Sequence, residues 1–484
     1  MTLMLATTSA GFRPAGRFDA ADALRPYRGG WDRRRAAHLL RRAGFGGTPA
    51  EIAAFTSLGM NAAVDRLIHF PDTSALPAAP ELVDDRPRRA ILAMMARLPQ
   101  PAASPDPAQR AAAIKALGKA HFQNAVALMQ WWLGRMIATS APLQEKMVLF
   151  WHGHFTSAYQ GKGITAADML GQNQLFRRSA LGNIRELTLA VSHDPAMLKY
   201  LDNRTNRKQH PNENYARELM ELFTLGLDNY TESDVRQSAR AFTGYTLDRD
   251  DRFVFNRRVH DDGIKTFLGR TGNFTGDDIV AIIFQQPAAS RFFARKILEF
   301  YLYDDPEPQL VEDFAALLRS HDFELAPVMS ALLRSNIFYS DRAYRALVKS
   351  PVEFIAGTYR LLSLPPDDVP LPVLGAMTRM GQRLFFPPNV KGWDGGAAWI
   401  NSGTLLAREN FAAGVCSNAQ MMESVAWLPK EMLDPDAVTA AIVDAVLQGD
   451  ISPAARARLQ AYLDGGDVRG AVYLAMATPA YQLA

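Results

Sequence analysis

Four short stretches hold most of the side chains capable of chemistry. Phe150-Trp151-His152-Gly153-His154-Phe155 sets two imidazoles two residues apart. On an unbroken helix that spacing turns them about 200° from each other. Gly153 permits a break, after which both rings converge at a helix C-terminus, and Glu145 shares the face of His152. Convergent imidazoles bind a divalent metal or move protons. The competing expectation is a pair of histidines that satisfy carbonyls at a helix end.

The second stretch runs from His210 through Pro211, Asn212, Glu213 and Asn214 to Glu221. Glu213 and Arg217 are spaced to pair, while Asn214, Glu218 and Glu221 share a face beside an apolar stripe of Tyr215, Leu219, Leu222 and Phe223. That face is either a solvated ridge or the wall of a site. The loop before it crowds Lys199, Asp202, Asn203, Arg204, Asn206, Arg207, Lys208 and His210 ahead of a helix N-terminus, where free N–H groups and the helix dipole favour an anion.

In the third stretch, His260-Asp261-Asp262-Gly263-Ile264-Lys265, Asp261 could orient His260 or join it on a metal. An Asp-Gly turn is the plainer expectation. The fourth, Phe385 to Ser402, sets Trp393 and Trp399 among Asn389, Lys391, Asp394 and Asn401. Aromatic faces stack on the C–H faces of sugars while the polar groups bond their hydroxyls. A well-packed loop filling a gap between helices is the alternative, since Trp buries most of its surface.

These stretches give the candidate set. His152, His154, His210, Glu213, Glu218, His260 and Asp261 are the acid–base candidates, with His152, His154 and His260 as candidate ligands of a divalent metal. Arg204, Lys208, Lys265, Asn389, Lys391, Trp393, Trp399 and Asn401 are the candidate substrate contacts. A bound metal would activate water or polarise a substrate oxygen.

The elements that must position them read as mainly α. Helices are expected over residues 33–42, 48–58, 109–139, 143–152 and 213–225. Thr231 with Asp234 caps another ending near Gly244, and Ser350-Pro351-x-Glu353 starts a further one. Helical patterns also cover 277–300, 309–320, 326–336 and the tail from 436. Residues 245–256 alternate around Arg249-Asp250-Asp251 and suggest one small β-hairpin. The expected architecture is a multi-helix, bundle-like globule with that hairpin and a long structured Gly/Pro/Trp loop over 383–404. Proline-rich stretches divide it into an Arg-rich helical region (1–97), a linker (98–108), a central helical domain with the candidate site (109–362) and a C-terminal region (363–484) whose aromatic loop packs on the centre.

Composition agrees with a globular chain: 484 residues, 48% hydrophobic, 21% charged, net charge +3. Residues 1–50 hold nine Arg against three Asp, a local +6 that reads as a salt-bridged helix face. The surplus is too confined to suggest nucleic acid. No apolar run approaches the roughly 18 residues a membrane span needs. The single Cys416 excludes an internal disulfide and a Cys-rich metal site. Met1 to Ala10 lacks a basic residue before its short apolar stretch, which by itself points to the cytoplasm.

The order of these pieces resembles the DUF1800 family of bacterial proteins. The matching segments are His38 to Gly46, Phe150 to Phe155, Asn212 to Gly226, Ala239 to Gly244, His260 to Gly263, Phe385 to Trp393 and Trp399 to Ser402. The family is named for having no established function, so the resemblance transfers no catalytic residue. It implies export to the periplasm or beyond, and a partner encoded nearby that resembles sulfatases.

Two functions are expected from this pattern. One is an enzyme, a candidate for the metal dependence described above, that hydrolyses or transfers groups on an anionic or hydroxylated substrate such as a polysaccharide or an anionic small molecule. The other is a non-catalytic polysaccharide-binding or envelope-associated scaffold. Geometry separates them: an imidazole metal centre needs three or more ligand groups around one point, within about 5 Å.

Overall fold

The computed structural model describes residues 19–70, 77–86, 107–367, 369–423, 425–428 and 434–484. Most of the linker expected over 98–108 lies outside them, as does the extreme N-terminus. The described chain is helical apart from two antiparallel hairpins, Tyr245–Leu247 with Phe253–Phe255 and Lys265–Phe267 with Arg270–Gly272. The second hairpin carries no ordinary turn signal, because Leu268, not Asn or Asp, precedes Gly269 at positive φ in its two-residue loop. The expected helix over 277–300 is two, Gly276–Ile283 and Pro287–Tyr301, since Pro287 opens a new first turn.

Among the described residues one continuous apolar core runs from Ala23 to Tyr481 and joins early, central and late helices. Helix Pro107–Ala138 lays Trp131, Trp132, Leu133 and Met136 into it. Helix Pro142–His154 packs on Ala166–Arg178, and the Glu145 carboxylate pins three helices together. It accepts from Trp132 Nε1 at 3.2 Å, Arg135 Nε at 3.2 Å and Arg177 Nε at 2.6 Å. A carboxylate with no exposure is tolerable only because two guanidiniums enclose it.

The arginines of helix Arg33–Arg42 split between two environments. Arg33 forks onto Asp444, Arg34 lies 3.7 Å from Asp450 and Arg35 pairs with Asp32, so this face is salt-bridged as expected. Arg41 and Arg42 are buried instead. Arg42 donates to the carbonyls of Tyr301, Leu302 and Ala484, closing the end of helix Pro287–Tyr301. The chain end returns beside Val348, where Leu483 forms an isolated bridge. No described helix is long and apolar enough to cross a membrane.

Candidate functional site

Helix Pro142–His154 continues straight through Gly153. The expected break does not occur, and the two imidazoles diverge as an unbroken helix requires. His152 faces inward, its ring 5.0 Å from Trp132, 5.4 Å from Phe385 and 5.7 Å from Trp393. The Phe385 N–H donates to its Nε2 at 3.3 Å. His154 faces the opposite way and donates from Nε2 to the Phe223 carbonyl at 2.9 Å. Burial drives both pKa values down to about 3, with Lys296 adding to the effect on His154, so both rings are neutral at ordinary pH.

The remaining imidazoles are elsewhere. His260 donates from Nδ1 to the Thr243 carbonyl at 2.8 Å, beneath the first hairpin. His210 is exposed, its backbone bridged to Arg207. Among the described residues no group of three or more His, Cys, Asp or Glu side chains is arranged to hold a metal ion. The expected His152–His154–His260 metal set therefore does not assemble: each ring bonds to the backbone of its own neighbourhood.

Several other candidates are likewise engaged locally. Asp261 accepts both arms of Arg240 at 2.7 and 3.0 Å, which hold its carboxyl down at about 2. Lys265 is buried under the carbonyls of Asp261 and Gly263. Glu213 pairs with Arg217, which also forks onto Glu232. Arg204 donates to the Lys162 carbonyl at 2.8 Å, and Lys208 is exposed. Asn389 closes a turn onto Lys391 N at 2.9 Å, and Asn401 caps helix Ser402–Ser417. Glu218 is half-buried beside Glu221, and burial raises its pKa.

A cleft of about 520 Å³ does collect part of the set. His154, Lys391, Trp393 and Trp399 line it. The sequence reading missed the opposite wall, Phe292, Lys296, Glu299 and Phe300 on helix Pro287–Tyr301, with Asp304 and Asp305 just beyond. The i, i+3, i+4 spacing of that polar and aromatic face was visible, but nothing in the spacing says which solvent-facing stripe meets another element.

Two glycines let the aromatic loop reach the helices. Gly392 sits at φ +88, and a Cβ there would lie 2.4 Å from the Gly153 carbonyl. Gly396, at φ +52, lies close to the exposed Asp304 carboxylate, whose Oδ2 a Cβ would meet at 2.8 Å unless that side chain turned away. Between them the loop spans the two walls of the cleft. Phe385 anchors its start at φ +65, its N–H on His152 and its carbonyl accepting from Tyr159 N at 2.8 Å. A bulky residue holds that backbone only where its surroundings enforce it.

The cleft is acidic. Six carboxylates (Glu221, Glu299, Asp304, Asp305, Glu353 and Asp394) face four cations (Arg42, Lys146, Lys296 and Lys391). Lys146 is bound to Glu353 and Lys391 to Asp394 at 2.9 Å, which leaves most of the surplus around helix Pro287–Tyr301. Burial raises the Glu299 carboxyl; Lys296 and Arg295 oppose that, and Asp304 and Asp305 add to it. The arrangement can offer an aromatic surface, carboxylate acceptors and one carboxyl, Glu299, that burial shifts above its usual range.

Residues 38–483 match the family described as Protein of unknown function (DUF1800), nearly the whole chain, and the protein belongs to that family. No curated protein and no solved structure shows significant similarity to it.

Proposed function

We propose that the cleft between helices Pro142–His154 and Pro287–Tyr301 binds a hydroxylated, sugar-like ligand and that Glu299 acts on it as a proton donor in hydrolysis or group transfer. The observation that carries this reading is the conjunction in one cleft of Trp393 and Trp399 with a group of carboxylates. Aromatic faces supply stacking area, carboxylates accept from hydroxyls, and a carboxyl raised by burial can donate to a leaving oxygen. The acidic surplus favours a neutral or amino sugar over the anionic substrate expected from the sequence. Carboxylates take the role first assigned to imidazoles, because His152 and His154 are too deeply buried to titrate near neutrality.

The scaffold reading uses the same cleft without Glu299 chemistry. The distinguishing experiment incubates the protein with neutral and amino-sugar oligosaccharides and measures new reducing ends. Wild type should release them, and Glu299→Gln should lose about 10²-fold or more while still binding. Binding without release in wild type would favour the scaffold; neither binding nor release would remove both readings.

A further inference from the structure

On the far side of Glu353 lies a second, much smaller cavity of about 30 Å³. Arg41, Arg345, Lys349, Glu353, Gln448 and Tyr481 are among its walls. Its size admits a few water-sized groups and excludes a sugar or nucleotide. Its electrostatics are unbalanced. Glu353 is committed to Lys146, and Arg345 to Asp450 at 2.8 Å. Arg41 and Lys349 remain, only 7% and 9% exposed, with no carboxylate in ion-pair contact among the described residues.

The orphaned atoms have a specific geometry. Arg41 Nη1 donates to Gln448 Oε1 at 2.6 Å and the guanidinium lies 5.4 Å from the Tyr344 ring centroid, but Nε and Nη2 are buried without a hydrogen-bond acceptor among the described residues. Those two N–H groups form one edge of the guanidinium, the parallel pair that holds two oxygens of a single oxyanion. The Lys349 ammonium lies 4.0 Å from the centroid of the Tyr481 ring. Burial, with Arg345 and Arg41 alongside, pushes its pKa well down, and Glu353 opposes that only in part. Asp450 steadies Arg41 and Glu353 steadies Lys349 only at longer range, each being ion-paired elsewhere; buried donors left unsatisfied are costly, and two cations without a direct carboxylate partner in one cavity more so.

We infer that this cavity is a binding site for a small tetrahedral oxyanion of the phosphate or sulfate type, seated on the Nε/Nη2 edge of Arg41 and the ammonium of Lys349. Two unneutralised cations match a dianion better than a monocarboxylate. The ligand would tie helix Arg33–Arg42 to the segment before helix Pro351–Leu361; the site shares the Glu353 wall with the sugar cleft but none of Glu299, Trp393 and Trp399.

The test uses the full chain, exchanged into an oxyanion-free chloride buffer and titrated calorimetrically with sodium phosphate, sodium sulfate or sodium acetate at constant ionic strength. Phosphate or sulfate should bind saturably at one site per chain and raise the melting temperature beyond matched sodium chloride. Arg41→Lys keeps the charge but loses the two-pronged edge, and should weaken binding at least tenfold. Lys349→Met should weaken it similarly, and serves alone if the first variant does not fold. A response to acetate only, no response beyond chloride, or unchanged affinity in the folded variants would overturn the assignment.

Discussion

The imidazole of His152 is enclosed by Trp132, Phe385 and Trp393, and its Nε2 accepts from the backbone N–H of Phe385. Replacing it with Ala would open a cavity and orphan the Phe385 N–H. We expect a loss of about 2–4 kcal/mol in urea unfolding; an unchanged midpoint would mean the ring is not a packing element. The same burial fixes a pH dependence. His152 and His154 have folded pKa values near 3, below the ordinary value of 6.5, so the unfolded chain binds the extra protons as pH falls. Their contribution is fully present above 6.5 and is lost progressively toward 3. Thermal melts of the His152→Phe variant should therefore show a shallower acid decline than wild type between those limits, and parallel curves would contradict the assignment. Which residues could do chemistry was legible in the sequence, but which of them face a cleft was not. Two histidines on opposite sides of one helix look equivalent in a string, and only the packing partners distinguish them.

Among the elements, the legible features were those written in local code. Thr231 and Ser350 each sit in the reciprocal caps that their spacing to Asp234 and Glu353 implies. Glu145 shows the limit of that code. Its helical position suggested a site residue, whereas Arg135 and Arg177, from helices before and after it, make it a structural hub. Glu145→Ala would leave two buried guanidiniums facing each other, and should cost about 3–5 kcal/mol in equilibrium unfolding. A loss under 1 kcal/mol would show that the hub contributes little beyond shape. The aromatic loop depends on backbone freedom at Gly392, where a Cβ meets the Gly153 carbonyl. Gly392→Ala should lift the loop from the helix, costing about 1–3 kcal/mol and moving tryptophan emission to the red. An unshifted spectrum would mean the loop is held elsewhere.

Across the whole molecule, one apolar core of the described residues includes early, central and late helices, and the cleft lies where the middle and late parts of the chain meet. This long-range meeting explains why the sequence revealed one wall and hid the other: the aromatic loop is conspicuous in composition, whereas helix Pro287–Tyr301 resembles any amphipathic helix until its partner is known. The central claim is that these walls form one receptor for a hydroxylated ligand. It is tested most directly by titrating the full chain with chitooligosaccharides and neutral glucans while following intrinsic tryptophan emission, in parallel with Trp393→Ala. Saturable quenching or a blue shift in wild type, weakened at least tenfold in the variant, is the predicted result. Emission that does not respond to any of these sugars, or a response that survives intact in Trp393→Ala, would contradict the account.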